Sequence, residues 1–232
     1  MSGVQHPRGR ALTRVFHFLP LRWGLEDIQK QRFKVARIKD LNDPFEMMSA
    51  RAGDRRLREG LISARNVAHD QIGFLCFSRD LTNPVQWSHY ADGHKGVCLG
   101  VELPGHLLEP VRYSNRRLEM READFMGGNP RSHAKITTAL FTKFEHWQYE
   151  KELRAVIDLS DPALIHEDGH IFQPVDGVTR LASVIVGAQC PIGRNALQQL
   201  LGNNLLGVEL TKARLAFNTF NVVEQRDARL WE

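Results

Sequence analysis

The chain has 232 residues, 42% hydrophobic and 25% charged, a balance that supports a globular fold with a real core, as one domain or two small lobes. Lys and Arg outnumber Asp and Glu by 31 to 27, a net charge of +4; this helps attract an anion but is too small for a dedicated DNA binder. Cys76, Cys98 and Cys190 are odd in number and without close pairing, which argues against a disulfide framework or zinc ribbon.

Residues 1–13 read as a flexible basic tail ahead of a single α+β domain over 14–232. The tail lacks the apolar core of a signal peptide, and no stretch approaches the roughly 20 apolar residues of a membrane span, so the expectation is a cytoplasmic protein without membrane contact. Val15–Phe18 is a short strand ended by Pro20. Trp23–Arg32 has Leu25, Ile28 and Gln29 at helical spacing, and Phe33–Ile38 alternates apolar with basic like a strand. Asn42-Asp43-Pro44 has the form of a helix cap followed by proline at the first helical position. Arg55–His69 is a charged helix, Ile72–Ser78 a buried strand, and Asn83-Pro84 starts a helix through Trp87, Tyr90 and Ala91 that stops at Gly93.

Gly96–Val101 is a further strand and Val111–Tyr113 a shorter one. Pro130–Tyr149 is the longest helix candidate, because Ile136, Leu140, Phe144 and Trp147 form one stripe. Glu150–Leu159 is the clearest strand: Leu153, Ala155, Ile157 and Leu159 share one face, and Glu150, Glu152 and Arg154 share the other. Residues 160–177 read as a loop, Ser183–Gly187 as a buried strand, Gly193–Leu201 as a helix and Leu215–Val223 as a late strand. Short strands with scattered helices and no regular βαβ alternation predict an α+β fold, a mixed or antiparallel sheet sandwich with surrounding helices.

His166-Glu167-Asp168-Gly169-His170 matches H-E-x-x-H literally. Zinc proteases need that pattern on a helix, whereas Pro162, Gly169 and Pro174 place it in a loop; no metal is expected. Phosphate loops, G-x-G-x-x-G turns and G-x-S-x-G elbows are missing. Polar and aromatic residues concentrate instead in four blocks: His17 within Val15–Phe18, Asn42-Asp43-Pro44-Phe45-Glu46, Trp87-Ser88-His89-Tyr90-Ala91 with His94-Lys95-Gly96, and Trp147-Gln148-Tyr149-Glu150-Lys151-Glu152-Leu153-Arg154. Each block also has a plain structural reading: a packed strand histidine, a helix cap, helix core, and a solvated strand face with an ion pair.

Taken together with Cys76-Phe77-Ser78 and Lys143, these blocks resemble the bacterial family called domain of unknown function twenty-nine seventy-one, related to some abortive-infection proteins. Leu41 departs from it, standing where the family often has Phe. A more distant likeness is to ADP-ribosyltransferases, including toxins that modify nucleic acids. Their early-strand His or Arg, central Tyr or Ser and later-strand Glu are matched in order by His17, Tyr90 and Glu152, and Glu150-x-Glu152 resembles their paired glutamates.

What the likeness implies is an ADP-ribosyltransferase-like fold with NAD as substrate. Glu152 would orient the ribose and stabilise its cation, His17 would bind the adenosine-side ribose, Tyr90 would cover the nicotinamide, and Glu150 would activate the acceptor. Arg154 and Lys95 would meet the diphosphate, while Asn42, Asp43, Ser78 and Trp87 would complete the cofactor pocket. Implied partners are a nucleic-acid or protein acceptor and an antitoxin protein, for a toxin or phage-defence effector. Two other readings stay open: a metal-independent ribonuclease using His89, His94 and Lys95, and a non-catalytic defence sensor or interaction module.

Overall fold

A computed structural model of the chain describes residues 11–125, 130–176 and 178–232. In chain order the elements are β1 (Leu12–Leu19), α1 (Leu21–Lys30), β2 (Arg32–Arg37), β3 (Ala50–Arg51), α2 (Arg55–Gln71), β4 (Ile72–Ser78), α3 (Pro84–Tyr90), β5 (Val97–Pro104), β6 (Glu109–Pro110), β7 (Arg112–Ser114) and β8 (Leu118–Glu119). They continue with α4 (Pro130–Leu140), β9 (Thr142–Phe144), β10 (Glu152–Asp158), β11 (Ile165–Glu167), β12 (His170–Pro174), β13 (Arg180–Val186), α5 (Arg194–Leu201), β14 (Glu209–Leu215) and β15 (Val222–Glu224). The expected tail falls largely outside the described residues, and its last two residues, Leu12 and Thr13, already belong to β1.

The fold is mixed α+β. Eleven of the described strands join in one mixed sheet, ordered β11-β12-β2-β4-β1-β5-β13-β14-β15, with β10 on β4 and β6 on β10. The other four described strands form two separate pairs, β3-β8 and β7-β9. The weak point of the large sheet is β4. One edge of β4 pairs with β10 along its whole length, from Ile72↔Asp158 to Ser78↔Glu152. The other edge is shared: Gly73 and Phe74 pair with β2, and Ser78 alone pairs with Phe16 of β1. Between them, Leu75-Cys76-Phe77 has no strand partner on that side, so the sheet divides there into two halves.

Strand alternation sorts the core. Val15, Leu75, Phe77, Leu99, Val101, Leu153, Ala155 and Val184 form a continuous apolar layer with Ile28 of α1 and Leu197 and Leu201 of α5. A second cluster gathers Ile38, Leu61, Phe74, Ala139 and Phe141 under one half-sheet, and a third gathers Phe18, Trp87, Cys98, Ile185 and Val222 under the other. Residues packed on the second cluster (Leu41, Cys76) and on the third (Phe16, Tyr90) together wall the cleft between them.

Local chemistry explains several boundaries. Asn83 caps α3 through Val85 N–H, with Pro84 in the first turn, as its sequence requires. Asp43, by contrast, caps only a turn, accepting from Phe45 N–H, and no helix follows it. The expected helix over 130–149 ends at Leu140, because Thr142–Phe144 pairs with β7 and residues Glu145–Glu150 wind into a 3-10 helix. Phe144 of the expected stripe is exposed.

The segment 160–177, expected as a loop, holds a hairpin turning at Asp168-Gly169, both with positive φ. Cross-strand partners share a face, so His170 lies with Glu167, and His166, the neighbour of Glu167, lies on the opposite side. The two imidazoles of the H-E-x-x-H match therefore diverge, and Glu167 pairs with Lys30 and Arg32. Of the expected strand 215–223, Leu215 ends β14 and Val222 and Val223 begin β15, and the turn between them exposes Phe217 and Phe220. No helix among the described residues is long and apolar enough to cross a membrane.

Asp27 on α1 is buried, with one carboxylate oxygen unpartnered. Burial pushes its carboxyl up to about 7, although Arg32 pulls the other way. The folded protein keeps this proton from about pH 4 to 7, where the unfolded chain has released it, so stability falls as pH rises through that window. Asp27→Asn is expected to raise the thermal midpoint by roughly 4 °C or more at pH 8 and to leave it unchanged at pH 4; scanning calorimetry at both pH values checks this.

Candidate active site

The division at β4 opens a cavity of about 230 Å³ lined by His17, Asn42, Ser78, Tyr90, Glu150 and Glu152, among others. His17 is among its lining residues. The imidazole Nδ1–H donates to the Cys76 carbonyl at 2.8 Å, occupying the edge of β4 where no strand pairs. Phe33 and Phe77 hold the ring edge-on. Burial lowers its pKa despite the Cys76 bond, so His17 is neutral, with the proton on Nδ1 and an acceptor lone pair on Nε2.

The carboxylates reach the cleft by a route that strand alternation did not anticipate. Glu150 closes the 3-10 helix, Lys151 adopts a left-handed conformation, and β10 begins only at Glu152. The two acids are joined by a cation: Lys143 Nζ donates to Glu150 at 2.7 Å and to Glu152 at 2.9 Å. Arg154 donates to Glu152 from Nε at 2.7 Å and from Nη2 at 3.2 Å, and it clasps both oxygens of Glu46 at 2.5 and 3.1 Å. Arg154 also donates to the Leu140 carbonyl at 2.7 Å, satisfying an otherwise open carbonyl at the end of α4. At the cavity, Tyr90 O–H donates to Glu150, and the Asn42 amide donates to Tyr90. Tyr113 accepts from Glu152 N–H at 2.8 Å, and Ser78 donates to the Glu150 carbonyl at 2.6 Å.

This chain of groups contains three carboxylates and two cations, all buried. Burial alone would raise Glu152, but Arg154 and Lys143 outweigh it and hold the carboxyl down to about 2. Glu150 moves the other way: burial, with Glu152 adding to it, raises its carboxyl above the usual range against the pull of Lys143. Glu46 is likewise raised by burial, against the pull of its bidentate guanidinium partner. Tyr90 stays protonated, its pKa raised by burial and by Glu150. Two neighbouring acids with opposed shifts provide one fixed negative charge and one proton carrier.

Four expected cofactor residues lie elsewhere. Arg154 is 0% exposed and fully committed to Glu46, Glu152 and Leu140, so it cannot meet a diphosphate. Trp87 is buried, donates to Leu81 O and packs on Phe18, outside this cavity. Asp43 is buried in its turn, and Lys95 is exposed after a left-handed turn, Asp92–His94, away from the cavity wall. His89 is exposed and bonded to Tyr149, whereas His94 is buried against Trp87 with its Nε2 on Ser88. Of the three residues of the ribonuclease reading, His89, His94 and Lys95, the two histidines thus have separate partners and the lysine is exposed. The sequence reading assigned no role to Lys143, Glu46 or Tyr113; Glu46 and Lys143 were visible only as members of the family blocks. No group of residues suited to a metal ion occurs among the described residues.

No protein-family model, no curated protein and no solved structure matches the chain. The family resemblance accordingly rests on the residue blocks alone.

Removing one partner from a buried ion network leaves uncompensated charge. Arg154→Met strands Glu46 and Glu152 and is expected to lower stability by about 3–5 kcal/mol, read from urea unfolding. A loss below about 1 kcal/mol would mean that the network does not organise the site.

Proposed function

We propose that the cleft binds the nicotinamide riboside end of NAD, cleaves its glycosidic bond, and transfers the ADP-ribosyl group, in an ADP-ribosyltransferase-like fold. The observation that carries this reading is the acid pair beside Tyr90 and His17, in a cleft lined by three carboxylates, Asp40, Glu150 and Glu152, against one cation, Lys143. Such a site favours a cation over an anion. The nicotinamide ring of NAD is cationic, and the ribose becomes cationic as the bond breaks.

In this mechanism the C1′–N bond of the riboside breaks with its electron pair going to the nicotinamide nitrogen, which leaves neutral. Glu152, held ionised by Arg154 and Lys143, supplies a fixed negative charge toward the oxocarbenium. Entry of the cationic ring favours the ionised form of Glu150, which then accepts the proton of the incoming hydroxyl or amine as that group bonds to C1′. His17 accepts a ribose hydroxyl through Nε2, and Tyr90 covers the ring while holding Glu150. A cavity of about 230 Å³ is small beside typical small-molecule sites of roughly 300–1,000 Å³. It therefore takes one end of the dinucleotide, and the diphosphate lies at the mouth. A role in toxicity or phage defence follows from the family resemblance, not from the geometry.

Nicotinamide release from NAD, followed by chromatography, tests the proposal. Glu150→Gln is expected to slow it by about 10²- to 10⁴-fold with an unchanged thermal midpoint, and NADH, whose ring is uncharged, is expected to resist cleavage. Parent protein that releases no nicotinamide, or a Glu150→Gln variant as active as the parent, would overturn it.

A further inference from the structure

A second cavity, of about 260 Å³, backs onto the first, and Lys143 lines both. Its walls come from three segments: Phe45, Met48 and Ser49; Ser114 through Arg117; and Thr142 through Phe144. The parallel pairing of β7 with β9, which sets Ser114 opposite Phe144, brings the last two together. No Asp or Glu stands in this wall, whereas Arg116 and Arg117 do.

Two of its lining residues are aromatic. Phe45 and Phe144 are 51% and 42% exposed. Arg117 lies over the Phe45 ring at 5.1 Å, and its Nη1 donates to the Met48 and Ala50 carbonyls, which fixes the guanidinium plane. The His146 ring rests against Phe144 at 4.4 Å between centroids.

Exposed rings interleaved with guanidiniums, in a groove free of acids, form the surface that single-stranded nucleic acid recognises: bases stack on the rings and phosphates meet the arginines. We propose that this second cavity binds single-stranded nucleic acid, a base stacking on Phe144 or Phe45 and its phosphates on Arg116 and Arg117. The binding itself stands apart from the NAD reading; only the further role as acceptor, with the strand presented to the Glu150 side across Lys143, rests on it.

Fluorescence anisotropy of a labelled mixed-sequence 12-mer, as DNA and as RNA, measures binding to the full chain without NAD. Phe144→Ala and Arg116→Glu, both at exposed positions, are expected to weaken binding at least tenfold. Arg22→Glu, an equal charge change at an exposed site on α1, is expected to leave it within twofold. Arg116→Glu should also flatten the dependence on salt between 50 and 200 mM. Absent binding, equal losses in all three variants, or equal competition by a poly-glutamate peptide would overturn the proposal. Binding with no release of nicotinamide from NAD would uphold this site and remove the enzymatic reading.

Discussion

Glu46, Arg154, Glu152, Lys143 and Glu150 form an unbroken line of charge, out of water, at the place where the sheet divides. Arg154 is the member on which the others depend: it joins the turn at Glu46, the end of α4 and the first residue of β10. Burying so many charges is unfavourable unless each is paired. The pairing here is incomplete by one cation, and Glu150, the acid bonded to Tyr90, stands at the cavity end of the line. A surplus of this kind suits the proposed role of carrying a proton or receiving a cation.

The divided sheet and the ion line are one arrangement seen twice. A fully paired β4 would satisfy Cys76 O with a neighbouring strand and would leave no opening for His17. Because β2 and β1 separate, the imidazole takes that carbonyl, and the cleft opens between two apolar clusters. The side of the line away from the cleft meets the second cavity at Lys143. One lysine thus partitions a carboxylate-rich chamber from an arginine-lined groove.

Much of the scaffold was legible in the sequence, because it depends on local chemistry. The Asn83-Pro84 cap, the apolar run Ile72–Ser78 and the alternation of β10 each announce themselves within a few residues. Boundaries set by distant partners were not. The stripe Ile136, Leu140, Phe144, Trp147 reads as continuous helix, yet pairing with β7 takes the chain away after Leu140. Asp168-Gly169 is itself a hairpin turn signal, masked by the prolines that flank it. In the site, the reading of His17, Asn42, Ser78, Tyr90, Glu150 and Glu152 found cavity residues, since polar and aromatic types clustered there beyond what packing needs. Arg154, Asp43, Trp87 and Lys95 did not reach it, because whether a polar side chain faces a cavity or a buried partner is decided by tertiary neighbours.

The most direct test of the charge line is a carbon-detected NMR titration of the glutamate side-chain carboxyls, with Glu150 and Glu152 assigned by single substitutions. Glu152 is expected to remain ionised down to about pH 2, while Glu150 takes up its proton above the ordinary glutamate value of about 4.2. Two carboxyls titrating together near that ordinary value would contradict the account.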